Sequence, residues 1–381
     1  MTWTGRYCVP LAVMLGAVLL APGCNSGGVA RMSIDPTRAY IDAKTTLRQD
    51  ADKADPGTKV FVMEAMAEVM GYEAGGVFKQ ALNEDNENVR FAAAMAIGDV
   101  KYEPAKPLLL AKATMYTGER DKRVYCAVLY ALFRLGDTSR LSDLADLLQD
   151  PEPSVRAVAA QVMGKIGEPS AVGPLKTILA DERDEGAKYN MIEALAVLGD
   201  SGSQALLESY AKGFYLDLRL AAVPAMAREY SLNAVLVLRE LLDIKHPPRV
   251  RVMAAGALAE LGEVSDDGYR LSVAAASRPG SFVDTGADDR RLIVGIEVAS
   301  LQRLAAISLG WMKRKQAVDV LHPLLSSGDG GVRVAAAMSI MRLLADQKRP
   351  LLPPEPQPPE GRAQTPTPRP RPKLHTAGAK D

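Results

Sequence analysis

The chain has 381 residues, its 46 Lys plus Arg are balanced by 46 Asp plus Glu, and it is 48% hydrophobic but only 5% aromatic. Balanced charge supplies no global field that would draw the protein onto nucleic acid, so no nucleic-acid partner is expected. A core so poor in aromatics must be built from Ala, Leu, Val and Met, which suits thin helical layers.

Residues 1–23 carry Arg6, an apolar run Val9–Leu20 and the small-residue segment Ala21-Pro22-Gly23 just before Cys24. The run is shorter than the roughly 20 residues a membrane-spanning helix needs, and the order of its parts is that of an export signal. Small residues before a lone Cys resemble a bacterial lipoprotein precursor, which implies cleavage before Cys24 and lipidation of its sulfur; an ordinary signal peptide is the alternative. The resemblance implies a cell-envelope protein, lipid-anchored on the periplasmic side of a membrane. Asn25, where an Asp would favour the inner membrane, leans toward the outer one. A lipidated Cys24 leaves Cys126 without a disulfide partner, and Cys126 reads as a partly buried, inert thiol, with a reactive one the alternative.

Residues 24–55 are polar and charged, and predict a stalk with one helical piece from Pro36 to about Asp50. The repeat array is assigned to residues 56–346. Pro56–Asn83 reads as an atypical first hairpin whose Met63, Met66 and Met70 pack inside it.

The pattern is clearest from Asp150 to Glu168. Val155, Ala159, Val162, Met163 and Ile166 recur at helical spacing and line one face. Pro151 and Pro153 exclude a preceding helix, Ser154 is placed to cap the next one, and Gly167 to end it. Equivalent anchors fall at Val89, Val124, Ala187, Leu218, Val250, Leu301 and Val332, spaced by 31 to 35 residues except for one interval of 51. Fixed self-similarity of this length signals units that bury their apolar faces only on each other. Segments such as Leu141–Asp150 and Ala171–Asp181 supply the other helix of each unit. The fold predicted is all-α: an α-solenoid, a superhelical array of about eight to nine helical hairpins flanked by disordered termini.

An acidic residue, a short turn, Val-Arg, Ala-Ala and Leu-Gly in register resemble HEAT repeats, specifically the HEAT-like repeats named after phycobilisome lyases. The resemblance implies a ladder of acid and Arg between neighbouring repeats. The acid stands five before the anchor at Glu84, Glu119, Asp150 and Glu182, but Gly213, Lys245 and Ser327 replace it later. The base follows the anchor at Arg90, Arg156, Lys188, Arg219, Arg251 and Arg333. A complete ladder is therefore expected only in part of the N-terminal half.

The long interval marks an insertion at about 278–296, whose Gly, Pro and Asp and β-prone Leu292–Ile296 predict a projecting loop or short hairpin. Residues 347–381 are Pro-rich, with seven basic against three acidic side chains, and predict a disordered basic tail. That tail serves as a spacer or touches an anionic surface such as the cell wall.

No catalytic constellation stands out, so no enzyme activity, cofactor or metal is expected. Phe282-Val283-Asp284-Thr285-Gly286-Ala287 resembles an aspartic-protease signature, but such chemistry needs two Asp residues sharing a proton, and one copy occurs. Asp284, Asp288 and Asp289 lack a calcium-loop pattern, and His246, His322 and His375 lack ligand spacing. In HEAT-like arrays the second helix lines the concave side, which implies a groove made by two rows. Six after the anchors lie Met95, Tyr130, Gln161 and Glu193; ten after lie Asp99, Arg134, Lys165, Val197, Arg228, Glu260, Trp311 and Arg342. The groove predicts a scaffold binding one or more unknown proteins; the rivals are a lyase-like or chaperone-like protein acting on a bound cofactor or client, and a membrane–wall tether through the tail.

Overall fold

A computed structural model describes residues 32–114, 118–229, 232–282 and 291–345. These form eighteen α-helices and no β-strand, organised as nine hairpins. The first helices are α1 (Pro36–Lys53), α3 (Gly75–Ala81), α5 (Lys106–Lys112), α7 (Asp143–Leu147), α9 (Val172–Asp181), α11 (Ser201–Lys212), α13 (Leu232–Glu240), α15 (Asp266–Ser277) and α17 (Val318–Leu321). The second helices are α2 (Pro56–Val69), α4 (Glu87–Val100), α6 (Lys122–Arg134), α8 (Pro153–Ile166), α10 (Glu185–Val197), α12 (Leu216–Glu229), α14 (Pro248–Glu260), α16 (Arg291–Trp311) and α18 (Gly330–Leu343). The chain is thus an all-α solenoid of HEAT-like hairpins.

Short polar side chains start eight of the helices by accepting a bond from a free backbone N–H: Asp35, Asp55, Asn86, Asp121, Asp184, Asp200, Ser265 and Asp329. α8 is an exception to the predicted start. Its cap position is Glu152, and Ser154, one residue inside the helix, bonds the Glu152 carboxylate instead of the backbone. Gly167 ends α8 in the left-handed conformation at φ +80°. The anchors Val89, Val124, Val155, Ala187, Val250, Leu301 and Val332 are buried, and Leu218 partly so.

Two segments differ from the sequence expectation. Residues 36–53 are not a stalk: α1 is the outer helix of the first hairpin, with Ala39, Ala43 and Leu47 fully buried against its neighbours. Its polar composition concealed a narrow stripe at i, i+4 and i+8. Leu292–Ile296 are not a strand or hairpin arm but the first turns of the 21-residue α16, which absorbs part of the insertion. They continue a helix whose later turns pack on α14 and α18, and that continuity outweighs their weak β preference.

Consecutive second helices pack closely, whereas consecutive first helices barely meet. Glycine permits the tightest approaches: a Cβ on Gly98 would lie 2.6 Å from the Tyr130 ring, and one on Gly310 would lie 2.5 Å from Ser339 Oγ. Close approach on one side only bends the stack the same way at every junction. After nine hairpins it meets itself, and α18 packs on α1 and α2.

The closing seam repeats the chemistry of the internal junctions. Arg90 grips Glu119 through two bonds of 2.8 and 3.0 Å while its Nη1 donates to the carbonyls of Glu84 and Asp85. Arg156 holds Glu182 and the Asp150 and Pro151 carbonyls in the same way. At the seam, Arg333 grips Asp50 at 3.1 and 3.0 Å and donates to the Ser327 and Gly328 carbonyls. Lys59–Glu84 and Lys122–Asp150 complete the N-terminal rungs. Asp319 further accepts from the backbone N–H groups of Ser33 and Ile34, and His322 meets Asp42 at 2.9 Å.

The rungs make stability acid-sensitive. Arg156 holds the buried Glu182 carboxyl down at about 2, against an ordinary 4.5. A depressed carboxylate stabilises the fold above its unfolded value, so this contribution is complete above pH 4.5 and fades as pH falls toward 2. Of order 3 kcal/mol is at stake. Melting temperatures of the wild type and Glu182→Gln should converge only as pH falls to about 2 and differ most above pH 5.

Candidate functional site

Closure converts the concave face into a lumen, and the second helices aim charged side chains into it. Lys165 on α8 reaches Asp99 on α4 at 2.7 Å, passing over the intervening α6. Asp99 also accepts from the Tyr130 hydroxyl at 2.5 Å, and Arg134 Nη1 lies 3.3 Å from that hydroxyl. Farther round, Arg228 pairs with Glu193, and Arg342 pairs with Glu68 while stacking 3.9 Å over the Trp311 ring. The Lys165–Asp99 pair joins second helices that are not neighbours, so side chains crowd the passage there.

Glu64 and Glu260 set the chemistry. Both are exposed to solvent, yet the surrounding protein strips enough water from each carboxyl to push its pKa up. Lys165 partly opposes that shift at Glu64, with Asp99 reinforcing it; at Glu260, Arg228 and Arg342 oppose it and Glu68 reinforces it. Exposure together with desolvation is the signature of a group facing water inside an enclosure.

The predicted rows divide. Asp99, Lys165, Val197, Arg228 and Glu260 are exposed, with Arg134, Trp311, Arg342 and Glu193 intermediate. Gln161 is exposed one turn before Lys165. Met95 and Tyr130 are instead packed between helices, at 8% and 0% exposure. The close approach at Gly98 turns the sixth position from a groove surface into an interhelical contact. Burial and the Asp99 carboxylate raise the Tyr130 pKa, so its hydroxyl is a fixed donor, not a titrating group. Glu64 and Glu68 were not among the predicted residues because the first hairpin lacks an apolar anchor. Thr58 occupies that place, three after the Asp55 cap, and counting six and ten from it gives Glu64 and Glu68.

Cys126 is fully buried, and desolvation pushes its thiol up to about 12. Met63 and Met66 are buried and Met70 partly so. An open cleft of about 120 Å³ lies beside the Lys59–Glu84 rung, bordered by Arg48, Met63 and Gln80. Among the described residues no group of three or more His, Cys, Asp and Glu could hold a metal, and no helix is long and apolar enough to cross a membrane. Cys24, the Asp284–Gly286 string, Asp288, Asp289 and the 347–381 tail lie outside the described residues.

A model of the HEAT-repeat family matches residues 112–196, so the chain carries HEAT repeats. Epoxyqueuosine reductase of Bacillus subtilis (strain 168) is 37% identical over 75 residues, 19% of this chain and 19% of that protein. The match therefore spans about a fifth of the relative's length. Among solved structures, the CpcE–CpcF complex of phycocyanin lyase from Nostoc sp. PCC7120 is similar at 17% identity and TM-score 0.39, covering 66% of this chain and 97% of that one. Human deoxyhypusine hydroxylase with glycerol is similar at 16% identity and TM-score 0.34, covering 81% and 97%. The expectation that the chain is not an enzyme is not upheld: the relative matched in sequence is a reductase, over about a fifth of its length.

Proposed function

We propose that the ring is a lyase-like HEAT protein that takes a carboxylated small molecule, or an acidic side chain of a client, into its lumen and moves protons on it. The observation that carries this is the setting of Glu64 and Glu260: carboxyls facing water in an enclosure, with raised pKa values, each within electrostatic reach of cations that a ligand's carboxylate would have to share with their present partners. Lys165, Arg228 and Arg342 orient the ligand; Glu64 and Glu260 donate or accept the proton. The crowding of the passage by side chains favours this over a groove that holds a whole protein. Export and lipidation at Cys24 would place the activity at the cell envelope, facing the periplasm.

The test is native mass spectrometry and absorption spectroscopy of the purified ring, followed by denaturing extraction. A small acidic molecule should accompany the wild type and be lost from Lys165→Ala; a wild-type ring that never yields one would overturn the proposal. Glu64→Gln provides a second check. A carboxyl with a raised pKa destabilises the fold as pH climbs through that value, so the amide should melt no lower than wild type at pH 7.5 while losing the ligand-linked activity.

A further inference from the structure

The ladder stops where the ring is stickiest. At the junctions of hairpins 5, 6 and 7 with the hairpins that follow them, the carboxylate positions hold Gly213, Lys245 and Ile296. Arg219, only 8% exposed, consequently has no carboxylate partner among the described residues: its Nε donates to the Ala211 carbonyl and its Nη2 lies 2.9 Å from His246 Nδ1. Burial alone lowers the Arg219 pKa, with no anion to offset it. His246 Nε2 is buried without a hydrogen-bond partner. Arg251 at the next junction reaches only the Leu242 carbonyl. Beside this uncompensated charge stand the most exposed large apolar side chains on the described surface: Phe214 at 94%, Ile244 at 82% and Tyr215 at 71%, the two aromatic rings edge to face at 5.9 Å.

Isolated exposed apolar residues are ordinary, but three on adjacent turns of one rim are an interaction surface. Every intact rung shows what this surface lacks, an acidic side chain delivered from the neighbouring layer. We propose that the rim formed by the α11–α12 and α13–α14 turns docks an acidic, apolar-flanked peptide segment of a partner protein, whose carboxylate supplies the missing rung to Arg219 while its apolar residues cover Phe214, Tyr215 and Ile244. This stands on the rim and is independent of the lumen.

Fluorescence anisotropy of the full chain with a short labelled peptide of alternating Glu and Leu tests it, with Gln/Leu and Lys/Leu peptides as comparisons. The Glu peptide should bind at least about tenfold more tightly than either, and the preference should weaken in high salt. Phe214→Ser with Tyr215→Ser should remove binding, whereas Lys165→Ala should leave it intact. Lys245→Glu puts a carboxylate back at the rung position, so it should abolish peptide binding while the melting temperature holds or rises. Equal binding of the three peptides, no binding, or full binding to Lys245→Glu would overturn the proposal. So would sedimentation with phosphatidylglycerol vesicles in place of peptide binding, or a self-association abolished by the Phe214/Tyr215 change; these would assign the rim to lipid or to a second copy.

Discussion

Arg333→Ala should open the ring. Its guanidinium is the only ladder base that joins the last hairpin to the first, and its partner Asp50 is 283 residues away in the chain. The side chains are 24% and 12% exposed, so the loss is set below that of a fully buried pair, at about 2–3 kcal/mol. The effect should be local before it is global: amide exchange should accelerate in α1, α2 and α18 while α8 and α10 keep their protection, and small-angle scattering should report a larger radius. Lys122→Ala offers the contrast. That lysine is 55% exposed and its rung is internal, so its loss should cost under about 1 kcal/mol and leave the radius unchanged. A ring with normal exchange in α1 after Arg333→Ala would show that the apolar seam alone holds it shut.

Tyr130→Ala should destabilise the protein by about 3–5 kcal/mol, because its ring is fully buried in the space that Gly98 leaves open. Tyr130→Phe keeps the packing and loses only the hydroxyl's bonds, donated to Asp99 and accepted from Arg134, so it should cost about 1.5 kcal/mol. Chemical denaturation of both variants separates packing from hydrogen bonding. It also distinguishes the folded ring from an open groove, in which Tyr130 would be a surface anchor and either change would leave stability nearly untouched.

The difference at Tyr130 shows what repeat arithmetic can carry. Counting from Val124 places Tyr130 on the right helix but on the groove surface, where the structure packs it between helices, while the same count reaches Asp99, Lys165, Arg228 and Glu260, which are exposed. It does not say how near the next helix comes, which depends on Gly98 in the preceding repeat. Glu64 and Glu68 were hidden for a different reason: their repeat starts from Thr58, a polar anchor that hydrophobic spacing passes over.

By itself the sequence determined the anchor helices from α4 onward, their register and the rungs at Arg90 and Arg156, because each is set within one or two repeats by caps, apolar spacing and an acid five before an anchor. Only the tertiary structure decided that the array closes, that Arg333 meets Asp50, and that a concave face becomes a charged lumen. Closure is the sum of small bends over nine hairpins, and no single window of sequence contains that sum.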